Sequence, residues 1–191
     1  MQPEQEKIEL YNQLVEGCLK NKREAQYQLY NLLSGKMYAV CLRYCNDKES
    51  AQDILQEGFV KVFSNLERYR GEGSFEGWVR RIFINTAVEH FRKESRMFPV
   101  SDLEAVTYSI PYDAPHHNLE MEDLLKLVQS LSTGYRTVFN LYVIEGYSHK
   151  EIADMMNISE GTSKSQLARA RYLLQRMIIE ADQVKKSNVA L

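Results

Sequence analysis

The sequence predicts an all-α protein of two helical domains joined by an extended linker, with a helix-turn-helix in the second domain. Glycine and proline are scarce, at nine and four of 191 residues, and apolar residues recur at helical spacing without period-2 alternation. Pro99, Pro111 and Pro115 fall in one window without helical period, which is too long for an ordinary connection inside a domain. The predicted limits are residues 5–95 for the first domain, 96–118 for the linker and 119–182 for the second domain.

The formal net charge is −2, from 24 basic and 26 acidic residues. This value at first sight disfavours a protein held to nucleic acid by bulk electrostatics. The charge is unevenly distributed, however, because residues 96–120 hold one basic and four acidic residues, whereas basic residues cluster at 80–96 and 164–176. The hydrophobic fraction of 44% is ordinary for a globular protein and excludes wholesale disorder.

The few cysteines and histidines favour a protein without disulfides or metal. Cys18, Cys41 and Cys45 are odd in number and lack paired spacing, so we expect buried thiols in a reducing compartment. His116 and His117 are interpreted as solvated linker residues. No signal-peptide pattern and no membrane-spanning apolar run is present, which predicts a soluble cytoplasmic protein without direct membrane insertion. No phosphate-loop, zinc-ligand or nucleophile–base pattern is present either, so no metal, cofactor or enzymatic activity is predicted.

Four helices are predicted in the first domain, at residues 6–20, 23–45, 48–66 and 76–95. Asn46 and Asp47 interrupt the pattern and supply an N-cap for the third helix. The polar face of that helix combines acidic residues with one apolar residue, which is typical of a protein-docking surface, although a plain solvated face is the alternative. The candidate docking residues are Asp53, Gln56, Glu57 and Val60.

The fourth helix carries a polar stripe at spacings of four and three, in which most residues are basic. The loop before it, residues 67–77, contains three glycines and places aromatic residues beside cations. Aromatic rings and cations suit single-stranded or flipped bases, and an asparagine can hydrogen-bond a base edge. A charged outer face over an aromatic core is the alternative. The candidate residues are Arg70, Phe75, Trp78, Arg80, Arg81, Asn85 and Arg92.

In the second domain, helices are predicted at 119–130 and 133–145, followed by a short helix, a turn at 157–159 and a long helix at 160–179. Ser148 and Glu151 have the spacing of a capping box at the start of the short helix. Ala153 is small where two helices should cross, and Ile158 is a single apolar residue in the turn. This order of elements predicts a helix-turn-helix.

The long helix has an apolar face and an opposite face that is basic and polar, as a helix entering a major groove requires. Gln166 lies nearer the apolar face and is a weaker candidate. A solvated amphipathic helix at the end of a bundle is the alternative. The candidate base- and phosphate-contacting residues are Lys164, Ser165, Ala168, Arg169, Tyr172 and Arg176.

These motifs, in this order, resemble the extracytoplasmic-function (ECF) group of bacterial sigma factors. Residues 49–93, ESAQDILQEGF through AVEHFRK, look like the part of the first domain that binds core polymerase and reads the −10 element. Residues 131–174, LSTGYRTVFNLYV through RARYLL, look like the domain that reads the −35 element. The resemblance implies an alternative sigma factor that binds core RNA polymerase and directs promoter-specific transcription initiation.

The resemblance also implies a role for each surface. The docking residues match the segment that binds the clamp helices of the polymerase, and the loop with the fourth helix matches the part that captures the single-stranded −10 element around a flipped base. The long helix matches the reader of duplex −35 DNA, and the acidic linker matches the segment that threads the active-site cleft. Glu89 departs from the family pattern as a carboxylate that would repel phosphate, so no −10 contact is carried over to it. Gln166 and Ala168 also depart from that pattern, so the −35 sequence cannot be carried over. An anti-sigma factor, often membrane-held, is an expected partner.

Two other classes of function stay open at this point. A stand-alone helix-turn-helix regulator with an N-terminal sensor domain would bind duplex DNA without polymerase, as a symmetric dimer. A helical interaction protein or an enzyme would leave the basic face of the long helix unused.

Overall fold

The computed structural model describes residues 3–97 and 121–189, and side chains in residues 5–93 and 122–181. All regular structure in those residues is helical, which confirms the all-α prediction. A 3₁₀ turn at Leu66–Arg68 follows the third helix, and a π-helical turn at Asn140–Ile144 follows the sixth. The helices are α1 (Pro3–Leu19), α2 (Arg23–Tyr44), α3 (Lys48–Ser64), α4 (Phe75–Met97), α5 (Met121–Ser130), α6 (Thr133–Phe139), α7 (His149–Met156) and α8 (Glu160–Val189).

The chain divides into two compact units, Met1–Leu42 with Asp47–Ala87 and Arg43–Asn46 with Val88–Leu191. The division falls inside α4, before the predicted domain limit at residue 95. The predicted linker begins at residue 96, but α4 includes residues 96 and 97. The rest of the linker, with His116 and His117, lies outside the described residues, so its interpretation stays a prediction.

The core of the first unit is aromatic where α3 and α4 meet. Phe83 is fully buried, and its ring stands edge-on to Phe59 with centroids 5.2 Å apart. Tyr30 of α2 packs on Phe59 at 4.6 Å. A Cβ atom at Gly58 would lie 2.3 Å from the Phe83 ring, so the two helices approach this closely only because Gly58 has no side chain.

The limits of α3 follow from side-chain hydrogen bonds to the backbone. The Asp47 carboxylate accepts the backbone N–H of Ser50 at 2.8 Å, which confirms the predicted N-cap. The helix ends at Ser64 rather than at the predicted residue 66. Asn65 donates its side-chain amide to the carbonyl of Lys61 at 2.8 Å, and this local bond accompanies the change to a 3₁₀ turn.

The predicted helix at 133–145 is wrong in its second half, where a π-helical turn replaces the α-helix. The backbone N–H of Glu145 donates to the carbonyl of Asn140, five residues back, at 3.0 Å. The Asn140 side chain is buried and donates to the carbonyl of Arg136 at 2.9 Å. The wider turn leaves Leu141 fully buried and Val143 and Ile144 exposed.

The core of the second unit lies against α8, where Leu131, Ala170 and Leu174 form a buried cluster. Arg136 is an unpredicted buried residue of this unit, and it donates to the carbonyls of Gln129 and Leu131 at 2.8 and 2.9 Å. Helix α8 continues to Val189, ten residues past its predicted end.

All three cysteines are buried free thiols, as predicted, and burial raises the pKa of Cys18. Among the described residues, no helix is both long and apolar enough to cross a membrane.

Candidate nucleic-acid interface

The loop before α4 is held at its two ends and is open between them. Gly71 and Gly73 have φ of 74° and 82°, a conformation that disfavours residues with a side chain. The Tyr69 hydroxyl donates to the carbonyl of Gly73 at 3.1 Å. Ser74 ends the loop, since its hydroxyl accepts the backbone N–H of Gly77 at 3.1 Å. Arg70 is exposed on this loop, as its candidate role requires.

The aromatic residues of this region form one cluster, called here the loop cluster, of Tyr11, Tyr69, Phe75 and Trp78. Phe75 lies at its centre, with ring centroids 5.3 Å from Tyr11, 5.0 Å from Tyr69 and 5.7 Å from Trp78. Phe75 is only 3% exposed, so its ring is not open to stack on a base. This corrects the expectation for Phe75, whose ring packs the cluster instead. Tyr69 and Trp78 are half-buried, at the edge of the cluster.

Glu76, a residue that the sequence did not single out, joins α4 to α1 and α2. Its carboxylate accepts hydrogen bonds from Lys36 at 2.8 and 2.9 Å and pairs with Lys7 at 3.0 Å. Tyr11 donates its hydroxyl to the same carboxylate at 3.3 Å. Burial acts to raise the pKa of Glu76, but the bonds and charges of Lys36 and Lys7 outweigh it and lower the pKa. Burial, together with the Glu76 charge, raises the pKa of Tyr11 to about 12.

The polar stripe of α4 lies where the sequence placed it. Arg81 and Asn85 are exposed, and so is Glu89. The opposite side of the helix is buried through Val79 and Phe83. The two remaining candidates on this helix, Arg80 and Arg92, are half-buried.

The candidate docking face of α3 separates into exposed and paired residues. Asp53 and Gln56 are exposed, and Val60 is 65% exposed, which is unusual for an apolar side chain on a packed helix. Glu57 instead pairs with Lys61 on the next turn at 2.8 Å. Three of the four candidates are therefore exposed and include one apolar residue, and the fourth has a partner on its own helix.

The helix-turn-helix is built from local contacts. Ser148 and Glu151 form the predicted capping box, with the Ser148 N–H donating to the Glu151 carboxylate at 2.8 Å and the Glu151 N–H donating to the Ser148 hydroxyl at 3.3 Å. Asn157 ends α7 in the left-handed conformation, with φ 57° and ψ 50°. The Ser159 hydroxyl accepts the N–H of Thr162 at 2.9 Å and begins α8. Ala153 is buried, as predicted for the helix crossing.

Helix α8 has the two predicted faces. Leu167, Ala170 and Leu174 are buried. Gln166 turns toward Gly134, and its side-chain oxygen is buried without a hydrogen-bond partner, which agrees with its weaker candidacy. The six candidate residues all lie on the outer side of the helix and are exposed or half-buried, namely Lys164, Ser165, Ala168, Arg169, Tyr172 and Arg176.

The cations of that outer face have local partners that water and DNA can replace. Arg176 pairs with Glu180 at 3.0 Å, and Lys164 lies 3.8 Å from Glu160. Both pairs are more than half exposed, so each contributes little to stability. The Arg169 guanidinium lies 5.4 Å from the centre of the Tyr172 ring, within cation–π range.

A stack beside α8 escaped the sequence analysis. The Tyr142 ring lies parallel to His149 at 4.5 Å, and the Arg171 guanidinium lies 5.7 Å from the centre of the Tyr142 ring. His149 Nδ1 is 2.9 Å from the hydroxyl of Ser163, which is fully buried. Burial lowers the pKa of His149, and the nearby charge of Lys164 lowers it further. Tyr142 lies in the π-helical turn, and no sequence spacing signals its contact with His149.

In the described part of the chain, no three or more His, Cys, Asp or Glu residues are grouped closely enough to hold a metal ion. The geometry is that of a helical protein with two separate polar surfaces, one aromatic and basic and the other a basic helix in a helix-turn-helix.

Comparison with known proteins identifies this class. Residues 29–97 match the family model described as Sigma-70 region 2, and residues 121–174 match the model described as Sigma-70, region 4. The two matches together span more than half of the chain, which belongs to the sigma-70 family. Within it, the chain is a member of the ECF group of alternative sigma factors, which bind core RNA polymerase and direct promoter-specific transcription initiation.

The relatives span nearly the full chain. The ECF RNA polymerase sigma-E factor of Haemophilus influenzae is 28% identical over 177 residues, covering 86% of this chain and 93% of that protein. The RNA polymerase sigma-H factor of Pseudomonas aeruginosa is 29% identical over 179 residues, covering 87% and 92%. The solved sigma factor RpoE of Bartonella quintana, in complex with the anti-sigma factor NepR, is 23% identical with a TM-score of 0.49, covering 80% of this chain and 95% of that one.

Proposed function

We propose that the chain reads its promoter through two surfaces and docks on core polymerase through a third. The exposed face of α8 enters the major groove of the −35 element as duplex DNA. The loop before α4 and the stripe with Arg81 and Asn85 take up the −10 element as a single strand. The α3 face with Asp53, Gln56 and Val60 binds the polymerase. The two reading surfaces belong to domains with limits at 5–95 and 119–182, joined by the linker.

The observation that carries this proposal is the outer face of α8, where cations and polar side chains stand opposite a fully packed face. Lys164 and Arg169 can pair with phosphates or with guanine acceptors. Both residues sit within the first three turns of the helix, the part that a helix-turn-helix directs into the groove.

The loop before α4 supports the proposed binding of the −10 strand. Melting the −10 element costs a few kcal/mol for each unstacked base, as an approximate value. Binding of a flipped base against aromatic rings offsets about 1–3 kcal/mol of that cost. Tyr69 and Trp78 are the half-buried rings of the loop cluster, and Arg70 and Arg81 are exposed cations that can contact the adjacent phosphates.

The role is one of binding, so we propose no enzymatic activity and no cofactor. Tethering gives the factor affinity that neither surface has alone, because each bound domain raises the local concentration of the other surface near its element. A net charge of −2 fits this design, since weak free binding leaves promoter recognition to the complex with polymerase. The proposed place of action is the cytoplasm, and the proposed regulator is an anti-sigma partner, an expectation supported by membership of the ECF group.

The test uses the full chain with core polymerase and measures runoff transcription and DNA binding by fluorescence anisotropy. We expect Lys164→Ala with Arg169→Ala to weaken binding of a −35 duplex by roughly tenfold or more, and to reduce the salt slope by about 1 for each phosphate that the variant no longer neutralises. Arg81→Ala with Asn85→Ala should weaken binding of a single-stranded −10 oligonucleotide instead. Asp53→Asn with Val60→Ala should weaken core binding.

Matched controls remove charge elsewhere. Lys126→Ala removes an exposed cation of α5, and Glu16→Gln removes an exposed carboxylate of α1; neither should alter any of the three affinities. Tight, specific duplex binding by the free protein without polymerase would indicate a stand-alone regulator. Unchanged DNA binding in the α8 double variant would refute the assignment of that helix.

A further inference from the structure

The open loop has little packing of its own. A Cβ atom at Gly71 or Gly73 would find nothing within 4 Å, and residues 70–74 are all exposed. The position of the loop is therefore set at its ends, by Tyr69 on one side and by Ser74 and Phe75 on the other. Both ends meet in the loop cluster, so whatever holds the cluster also holds the loop.

Glu76 connects that cluster to charges on two other helices. It is 27% exposed and accepts from Lys36 of α2 and pairs with Lys7 of α1. A carboxylate in the first turn of a helix is already favourable, but this one is also directed at partners 40 and more residues away in the sequence. Hydrogen bonds to a charged acceptor are stronger than neutral ones.

Tyr11 links the Glu76 carboxylate to the aromatic rings of the loop cluster. Its hydroxyl donates to Glu76, while its ring packs on Phe75 with centroids 5.3 Å apart. Lys7 also lies 5.8 Å from the centre of the Tyr11 ring. One tyrosine thus contacts both the charge network and the centre of the loop cluster, and it lies on α1, outside the matched segment 29–97.

We propose that Glu76 is a positioning residue for capture of the −10 strand, and that α1, through Lys7 and Tyr11, is part of the strand-capturing site. This inference rests on the proposed function of the loop. Glu76 itself does not contact the DNA. It orients Tyr11 against Phe75, so that the half-buried rings of Tyr69 and Trp78 are fixed before a base arrives. A preformed site spends less of its binding free energy on ordering side chains.

The experiment follows the loop directly, because Trp78 is the only tryptophan in the chain. The emission and acrylamide quenching of Trp78 report the cluster in the full-length free factor. Binding of a single-stranded −10 oligonucleotide and of a −35 duplex by the holoenzyme reports function. The variants are Glu76→Gln, Lys36→Met and Lys7→Met, with Lys36→Arg as the conservative variant and Glu16→Gln as the control. Glu16 of α1 is exposed and pairs with Lys20, four residues on, rather than with the Glu76 network.

We expect Glu76→Gln to increase quenching of Trp78 and to weaken single-strand binding about tenfold. The core and −35 affinities should stay within about twofold of the wild type. Lys36→Met and Lys7→Met should each have a smaller effect in the same direction. Lys36→Arg should keep single-strand binding near the wild-type value. The double variant of Glu76→Gln with Lys36→Met should be no weaker than Glu76→Gln alone, because the two residues share one interaction.

A merely structural Glu76 would lower the unfolding temperature and leave both the Trp78 signal and single-strand binding of the folded protein unchanged; that result overturns the proposal. If Glu76→Gln does not fold, the lysine variants decide by the same readouts. The Arg81→Ala with Asn85→Ala variant separates the two levels of inference. If it too leaves single-strand binding intact, the proposed function of the loop fails. If it weakens binding while the Glu76 and lysine variants do not, only the positioning role fails.

Discussion

The loop before α4 and the helix-turn-helix hold their exposed side chains in different ways. The loop depends on contacts between residues far apart in the sequence, such as Tyr11 with Phe75 and Lys36 with Glu76. The caps and turn of the helix-turn-helix depend on contacts between residues three apart, such as Ser148 with Glu151. The first surface is therefore sensitive to packing of the whole unit, whereas the second is sensitive to the caps and turn of its own short segment.

The largest expected effect tests the packing of α3 against α4. Gly58→Ala would place a methyl group against the buried Phe83 ring, and we expect a loss of about 1–3 kcal/mol of unfolding free energy or more. Gly35→Ala on the exposed side of α2 is the matched control, because its Cβ meets nothing within 4 Å, and it should be neutral or stabilising by up to about 1 kcal/mol. Urea denaturation measures both. Equal effects of the two variants would contradict the packing argument.

The next effect tests the turn of the helix-turn-helix. Asn157→Ala places an alanine in the left-handed conformation and should cost about 1 kcal/mol. Asn157→Gly should cost less or nothing, since glycine adopts φ 57° freely. Thermal unfolding of the two variants gives the comparison. A glycine variant less stable than the alanine variant would show that the Asn157 side chain, not the backbone conformation, is what matters.

The capping box gives a change of about the same size. Ser148→Ala should cost about 1 kcal/mol, because it leaves the Glu151 N–H without its acceptor. Glu151→Gln should retain most of the box, since an amide oxygen can still accept the Ser148 N–H, whereas Glu151→Ala should not. Thermal unfolding of the three variants is the measurement. Equal losses in the glutamine and alanine variants would argue against the reciprocal bond.

The smallest effect concerns pH and the charge network of the first unit. The pKa of Glu76 is lowered below its ordinary 4.5 in the folded protein, so the unfolded chain binds the proton more readily. The ionised carboxylate therefore contributes its stability above pH 4.5 and loses it as pH falls through the lower, folded pKa. The difference in unfolding free energy between wild type and Glu76→Gln should shrink as pH falls through that range. A difference in unfolding free energy that grows as pH falls would contradict a stabilising role for the ionised Glu76 carboxylate.

Features built from residues close together in the sequence were predictable, and features built from residues far apart in the sequence were not. Spacing identified the capping box, the N-cap at Asp47 and the two faces of α8, because each depends on residues within one or two turns. The sequence made Phe75 a candidate for −10 contact with an aromatic core as the alternative, and the folded protein buries it. Aromatic residues near a helix start suit a core and a binding loop equally well. The π-helical turn and the buried Arg136 left no periodic signal at all.

The sequence by itself determined the helical class, the order of the helices, the buried thiols and the family. These depend on periodicity, scarce glycine and proline, and motifs whose residues are close together in the chain. Only the tertiary structure decided that Phe75 is a core ring and that Glu76 gathers Lys7, Lys36 and Tyr11. The physical reason is that burial and long-range ion pairing depend on which helices meet, and helix packing is a property of the folded chain rather than of any single segment.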